Sequence, residues 1–191
     1  IYMQEYIDRF VKNINPELGI KCIASQIVPD SELQSDQAKL FGCEVDYNAY
    51  TLKENPKPKG KTTNIRSAGF HIHVGYKNPD IDTSISLVRY MDAYIGVPSV
   101  LKDKDTKRRS LYGKAGCFRL TDYGVEYRVL SSTMMSTTNK LTFVWEQLQK
   151  AILAAELDFS LPDRADVQNA INGSDDELAE SLINRFNLIE K

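Results

Sequence analysis

Gly69-Phe70-His71-Ile72-His73-Val74-Gly75 contains both histidines of the chain. Between its glycines, large apolar residues alternate with imidazoles, which is the period of an extended backbone. In a strand His71 and His73 leave from one face, and Phe70, Ile72 and Val74 from the other. At a rise of about 3.3 Å per residue the two rings stand roughly 7 Å apart, near enough to serve one site without crowding. One face of this strand is core and the other is a polar floor. Two imidazoles do not complete a metal shell, and exposed histidines on an antiparallel sheet give the same pattern, so the chemistry has to come from the neighbouring strands.

The 191 residues suffice for one domain, which at this size buries roughly 70% of the surface its unfolded chain exposes. Lys and Arg number 24 against 26 Asp and Glu, a formal charge of -2. That balance offers neither a global basic field for nucleic acid nor an acidic tail, and charge must be read locally. Cys22, Cys43 and Cys117 lie far apart without C-x-x-C spacing, which fits neither a disulfide framework nor a zinc knuckle and favours a reducing compartment. No apolar run approaches the roughly 18 residues of a membrane span, and no basic segment with a small-residue cleavage site opens the chain. The expectation is a cytoplasmic protein with neither nucleic acid nor membrane as partner.

Outward from the histidine strand, the N-terminal side begins with Tyr2, Met3, Tyr6, Ile7, Phe10, Val11 and Ile14 at helical steps, ending at Asn15-Pro16. Ile20 to Val28 reads as a strand, Ser31 to Leu40 as a short helix and Gly42 to Tyr47 as extended, with Glu44 and Asp46 on one face. Residues 53 to 64 are polar and broken by two prolines, an exposed loop. On the C-terminal side Asp80 opens a helix that runs to Gly96-Val97-Pro98, and residues 102 to 109 form a charged connector. Cys117 to Thr121 and Val125 to Ser131, joined through Asp122-Tyr123-Gly124, read as a hairpin. Asn139 to Asp158 carries an apolar stripe of Leu141, Val144, Trp145, Leu148, Ile152 and Leu153, which assigns Trp145 to packing. Pro162 to Lys191 supplies two further helices, the second capped by Ser174 or Asp175. Elements in this mixed order predict a single α+β domain over residues 1–191, a mostly antiparallel curved sheet with helices on one face, and 160–191 as a helical extension of the same domain.

Glu126 and Arg128 share one face of the hairpin's second strand while Val125, Tyr127 and Val129 share the other. Three strands thus each offer a polar pair on one face: H-x-H, E-x-R and E-x-D. Arg108, Arg109, Lys114 and Arg119 surround them in sequence. Carboxylate and imidazole for a divalent cation, with arginines for phosphate oxygens, are the groups that phosphoryl transfer from ATP requires.

At Phe41 to Tyr50, Arg66 to Gly75, Tyr94 to Val100, Arg108 to Arg119 and Gly124 to Val129 the sequence resembles the phage-type carboxylate-amine ligases, or amidoligases, of the glutamine synthetase and glutamate-cysteine ligase superfamily. The resemblance covers most of residues 41 to 132 and rests on the order and spacing of the motifs together. It implies a glutamine-synthetase-like catalytic domain in which ATP phosphorylates a carboxylate and an amine displaces the phosphate to give an amide. Carried over by position, His71 resembles the histidine that binds a catalytic magnesium ion (manganese being an alternative), Glu126 the strand carboxylate on that metal, and Asp46 a further metal or amine-orienting carboxylate, with Glu44 a weaker match. His73 would face nucleotide phosphate. Arg128 resembles the arginine that neutralises the transferred phosphoryl group or the acceptor carboxylate. Arg108, Arg109 and Lys114 match phosphate-binding positions, Arg66 less closely. The superfamily's strand has the pattern R-x-E-x-R, but its first arginine position is Gly124 here, which leaves Arg119 to take that role.

The superfamily also opens with an acidic, metal-binding strand that nothing before residue 41 matches. The expectation is therefore a fragment, a truncated copy or one part of a split or homo-oligomeric protein that alone binds ATP and magnesium weakly or not at all. Two other readings stay open on the residues: a transition-metal hydrolase built on His71, His73 and a carboxylate, and a non-catalytic scaffold of the same fold. The acid and amine partners, small molecules or peptides, are not specified by the sequence.

Overall fold

The computed structural model describes residues 9–17, 23–40, 45–56 and 64–189. Six strands are named in chain order: β1 Ser25–Ile27, β2 Tyr47–Asn48, β3 Ile65–Ser67, β4 Ile72–Gly75, β5 Cys117–Thr121 and β6 Gly124–Tyr127. They form a four-stranded antiparallel sheet in the order β2-β5-β6-β4 and a separate antiparallel pair, β1-β3. Besides helical residues 9–14 and the single turn Asp36–Lys39, six helices are labelled: α1 Ile81–Met91, α2 Val97–Lys102, α3 Thr106–Leu111, α4 Thr138–Glu156, α5 Arg164–Gly173 and α6 Asp176–Phe186. The class is α+β, as the order of elements predicts.

Alternation decides which face of the large sheet is dry. Ile72, Phe118, Val125 and Tyr127 are buried and belong to the core with Val88, Met91 and Ile95 from the helical layer, so α1 covers that face of β5 and β6. Burying one such aliphatic or aromatic side chain contributes about 2 kcal/mol. The opposite face carries the polar residues.

Several expectations hold with shifted bounds. Asp80 caps α1 by accepting from the Thr83 amide, Asp175 caps α6 by accepting from the Leu178 amide, and Asp122-Tyr123 turns the β5-β6 hairpin. Of the predicted strand Ile20 to Val28, residues 25–27 are extended; Ile20 to Cys22 lie outside the described residues. In Ser31 to Leu40 only one turn, Asp36–Lys39, is α-helical, after a 3-10 turn at Asp30–Glu32. Cys43, Glu44 and residues 57–63 of the polar loop lie outside the described residues.

Three expectations are corrected. The helix from Asp80 does not end at Pro98. A wide turn at Asp92–Gly96, with the Val97 amide donating to the Asp92 carbonyl, relaxes the ladder ahead of the proline ring and lets the chain continue into α2. The charged connector at 102 to 109 is not a solvated loop, because α3 occupies its second half and buries Arg108 and Arg109. Trp145 is not packing: it is 60% exposed and Leu153 53%, while Val144, Gln147, Leu148, Ala151 and Ala154 form the buried stripe of α4. Among the described residues no helix is long and apolar enough to cross a membrane.

Candidate active site

Register brings the polar pairs together. On the large sheet Glu126 of β6 lies between His73 of β4 and Arg119 of β5, and Asn48 of β2 pairs with Cys117 of β5, which puts Asp46 on the Arg119 side of the same face. Next to Glu126 the ladder slips. Ile72 opposes Tyr127, but the Phe70 amide bonds the Leu130 carbonyl and Gly69 bridges Ser131, so His71 alone stands opposite Arg128 and Val129. This is a β-bulge, and it turns Arg128 inward and frees the Val129 carbonyl. Arg108 from α3 takes that carbonyl through Nη1 at 3.1 Å.

Glu126 is the hub. Its side chain is 1% exposed and receives His71 Nδ1 at 2.7 Å and Arg128 Nη1 at 2.7 Å on Oε1, and Arg119 Nε at 2.7 Å and Nη2 at 2.5 Å on Oε2. Burial works to raise its pKa, but Arg128, the Arg119 hydrogen bond and His71 outweigh it and hold the carboxyl below its ordinary range. The carboxylate is therefore ionised and accepts only. Burial first, then Arg128, lowers the pKa of His71 against the pull of Glu126. A neutral His71 that donates Nδ1–H to Glu126 keeps its lone pair on Nε2, the arrangement by which a carboxylate orients a ligating histidine.

Asp46 lies 3.3 Å from Arg128 Nε and accepts from Cys117 Sγ at 3.2 Å and from Asn55 Nδ2 at 3.0 Å. A cavity of about 320 Å³ opens here, lined by Asp46, Arg66, His71, Arg108, Cys117 and Arg128 among others. Gly69 makes room for it, since a Cβ there would stand 3.0 Å from both His71 Nε2 and Arg108 Nη2. The buried Nε of Arg108 has no hydrogen-bond partner. Burial pushes the pKa of Arg108 down to about 10, with Arg109 and Arg128 adding to the fall, and it remains a cation at neutral pH. A concave site with three guanidinium groups and an orphaned donor fits an oxyanion, carboxylate or phosphoryl.

The remaining expected residues divide. Arg66 reaches the cavity from β3 while donating to the Ala38 carbonyl at 2.6 Å. His73 stands beside it, with Nε2 3.9 Å from Glu126 Oε1 and Nδ1 2.6 Å from Tyr123 Oη. Arg109 is not brought to this face: its guanidinium is buried in the helical layer and donates to the Ile171 carbonyl at 2.9 Å. Lys114 is exposed and does not line the cavity. Among the described residues no three His, Cys, Asp or Glu side chains gather to hold a metal ion by themselves.

Sequence reasoning passed over Cys117 and Tyr123. Cys117 shares the two-residue period with Arg119, and that was a usable signal. Burial, then Asp46, raises its thiol pKa well above the usual range, so it donates rather than attacks. Tyr123 had no signal, because its contact with His73 depends on how the hairpin turn folds over β4.

Gly124 explains the missing arginine of the R-x-E-x-R pattern. Its φ of +152° and a Cβ position that would fall on the Val74 carbonyl oxygen admit only glycine. Arg119 from the adjacent strand reaches Glu126 instead.

Comparison with known proteins reaches the level of family. No curated protein and no solved structure matches the chain. The model of one family, described as Phage phiEco32-like COOH.NH2 ligase-type 2, matches residues 61–186, a span that holds every described strand from β3 onward and the six labelled helices. With about two thirds of its length matched, the chain belongs to the phage phiEco32-like COOH-NH2 ligase family, type 2.

Proposed function

We propose that this ligase-family chain is a glutamine-synthetase-like catalytic domain that joins a carboxylate to an amine through an ATP-derived acyl phosphate, in the cytoplasm of the cell that makes it. The observation that carries this reading is the convergence of Arg66, Arg108, Arg128 and His71 on one cavity, with Arg108 Nε left without an acceptor. Arg108 and Arg128 hold the oxyanions of the nucleotide and of the acceptor carboxylate, and because both are fixed by the sheet they need little reorganisation as charge develops. Glu126 spends both oxygens on His71, Arg119 and Arg128, so its part is to hold that constellation in position. Asp46 lines the same cavity, and its Oδ1, which among the described residues accepts only from Asn55, has the lone pair to take a proton from the entering amine.

A hard dication usually keeps several waters and binds through one or two protein groups plus nucleotide phosphates. The cavity-lining Asp46 and His71 fit that partial shell, whereas Glu126 does not offer a free oxygen. Magnesium, or manganese, would supply charge neutralisation of the phosphates when bound. Small-molecule or peptide acids and amines are the substrates of this reading, and His73, 3.9 Å from Glu126 Oε1 and hydrogen-bonded to Tyr123 Oη, is its phosphate-facing imidazole.

Trapping with hydroxylamine tests the reading. Mg-ATP, hydroxylamine and a mixture of amino acids and short peptides are expected to give ADP and hydroxamate in equal amounts, and Arg128→Gln to slow both by about a hundredfold. ADP release that ignores the carboxylate, or undiminished hydroxamate from Arg128→Gln, would overturn it.

A further inference from the structure

A second cavity, of about 830 Å³, opens in the helical layer between α1 and the connection from α4 to α5. Its walls include Tyr50, Arg89, Tyr90, Asp158, Asp163 and Arg164, none of which belongs to the site on the sheet. Arg89 is locked in place: Nε and Nη2 donate to the Ala49 carbonyl at 3.0 and 2.6 Å, and the guanidinium lies 5.8 Å from the centre of the Tyr50 ring. Its Nη1 has no hydrogen bond among the described residues. Arg164, the first residue of α5, brings a second guanidinium to the same walls. Burial first, and then the charge of Arg164, lowers the pKa of Arg89, so the two cations feel each other across the cleft.

The acids of the cleft are turned to other partners. Asp163 accepts from the Ala165 amide at 2.8 Å as the cap of α5, and Asp158 accepts from Tyr90 Oη at 3.3 Å. Among the described residues neither arginine has a carboxylate within ion-pair distance. Two like charges held around a concave space repel unless an anion lies between them, and guanidinium groups bind carboxylate and phosphate through paired hydrogen bonds.

We propose that this cleft binds a small oxyanion, a carboxylate or a phosphate group, between Arg89 and Arg164, as a site separate from the one around His71 and Arg128. Arg89 supplies the fixed donor and Arg164, exposed at the rim, closes on the ligand from the other side.

The test is a pair of ¹H–¹⁵N titrations of the full chain at constant ionic strength, one with inorganic phosphate and one with succinate. Saturable shifts are expected in the amides of Arg89 to Ala93, Ser160, Leu161 and Asp163 to Gln168, and the ion with the lower Kd identifies the group preferred. Arg164→Gln, a substitution at an exposed position, is expected to weaken those shifts' midpoint by about tenfold while any shifts near His71 and Arg128 keep theirs. The proposal is overturned if neither ion moves the amides around Arg164, or if Arg164→Gln leaves the midpoint where it was.

Discussion

Glu126 is a buried anion with three cationic or hydrogen-bonding partners, and charge removed from such a centre leaves the partners stranded. Glu126→Gln is expected to lower stability by about 3 kcal/mol, seen as a drop in thermal midpoint by calorimetry. Gly69→Ala leaves the charges intact but crowds His71 Nε2 and Arg108 Nη2. It is expected to cost about tenfold in hydroxamate formation, since small misplacements at a reacting centre are expensive, with little change in melting. Titration adds a signed expectation. His71, its folded pKa lowered from 6.5, stays neutral where the unfolded chain takes up a proton, so stability falls as pH drops below about 6.5. Glu126, lowered from 4.5, adds a second loss below that value. Asp92 runs the other way: burial raises its pKa from 3.8 to about 7 despite bonds from Tyr127, Tyr50 and Gly116, so its contribution declines as pH rises between those values. Denaturant melts of Asp92→Asn across pH 4 to 8 are expected to lose that decline and keep the rise through 6.5; an unchanged profile would show that Asp92 is not the group responsible. Part of this neighbourhood was legible, because strand alternation puts His71 with His73 and Glu126 with Arg128, each pair on one face of its own strand; the register that brings the two pairs together was not. Arg108 and Arg109 were not separable. Neighbours on a helix leave it about 100° apart, and which of the two meets the sheet depends on how α3 docks.

Elements were legible where a local signal and the tertiary need coincided. The hairpin turn, the Asp80 cap and the Asp175 cap have such signals. The continuation through Pro98 has none, because it depends on a wide turn that packing against the sheet stabilises: at Gly96 a Cβ would meet Tyr127 Oη and Ile171 Cδ1 at 2.8 Å. Likewise β3 hid at the end of a polar run and is a strand because β1 pairs with it. In α4 the hydrophobic count selected Trp145, yet the helix rotates to bury alanines and Gln147, whose small or satisfiable side chains let α1 approach. At this scale Asp175→Ala is expected to destabilise the chain by about 1 kcal/mol through loss of the bond to the Leu178 amide, measurable by urea unfolding with an unchanged slope.

The molecule is tied together across its sequence. Ala170, Ile171, Ala179 and Leu182 from the C-terminal helices, with Leu188 just after them, enter the same core as the sheet, and Arg109 fastens α3 to the Ile171 carbonyl. Removing residues 160–191 is therefore expected to abolish the cooperative thermal transition and not merely to shorten the chain, with circular dichroism melting as the check. The chain's single tryptophan has a different consequence. Trp145 sits 60% exposed on the outer side of α4, so its emission should already be red-shifted and open to iodide quenching in the native state. Intrinsic fluorescence will then barely register denaturation, and dyes or tyrosine absorbance must do that work instead.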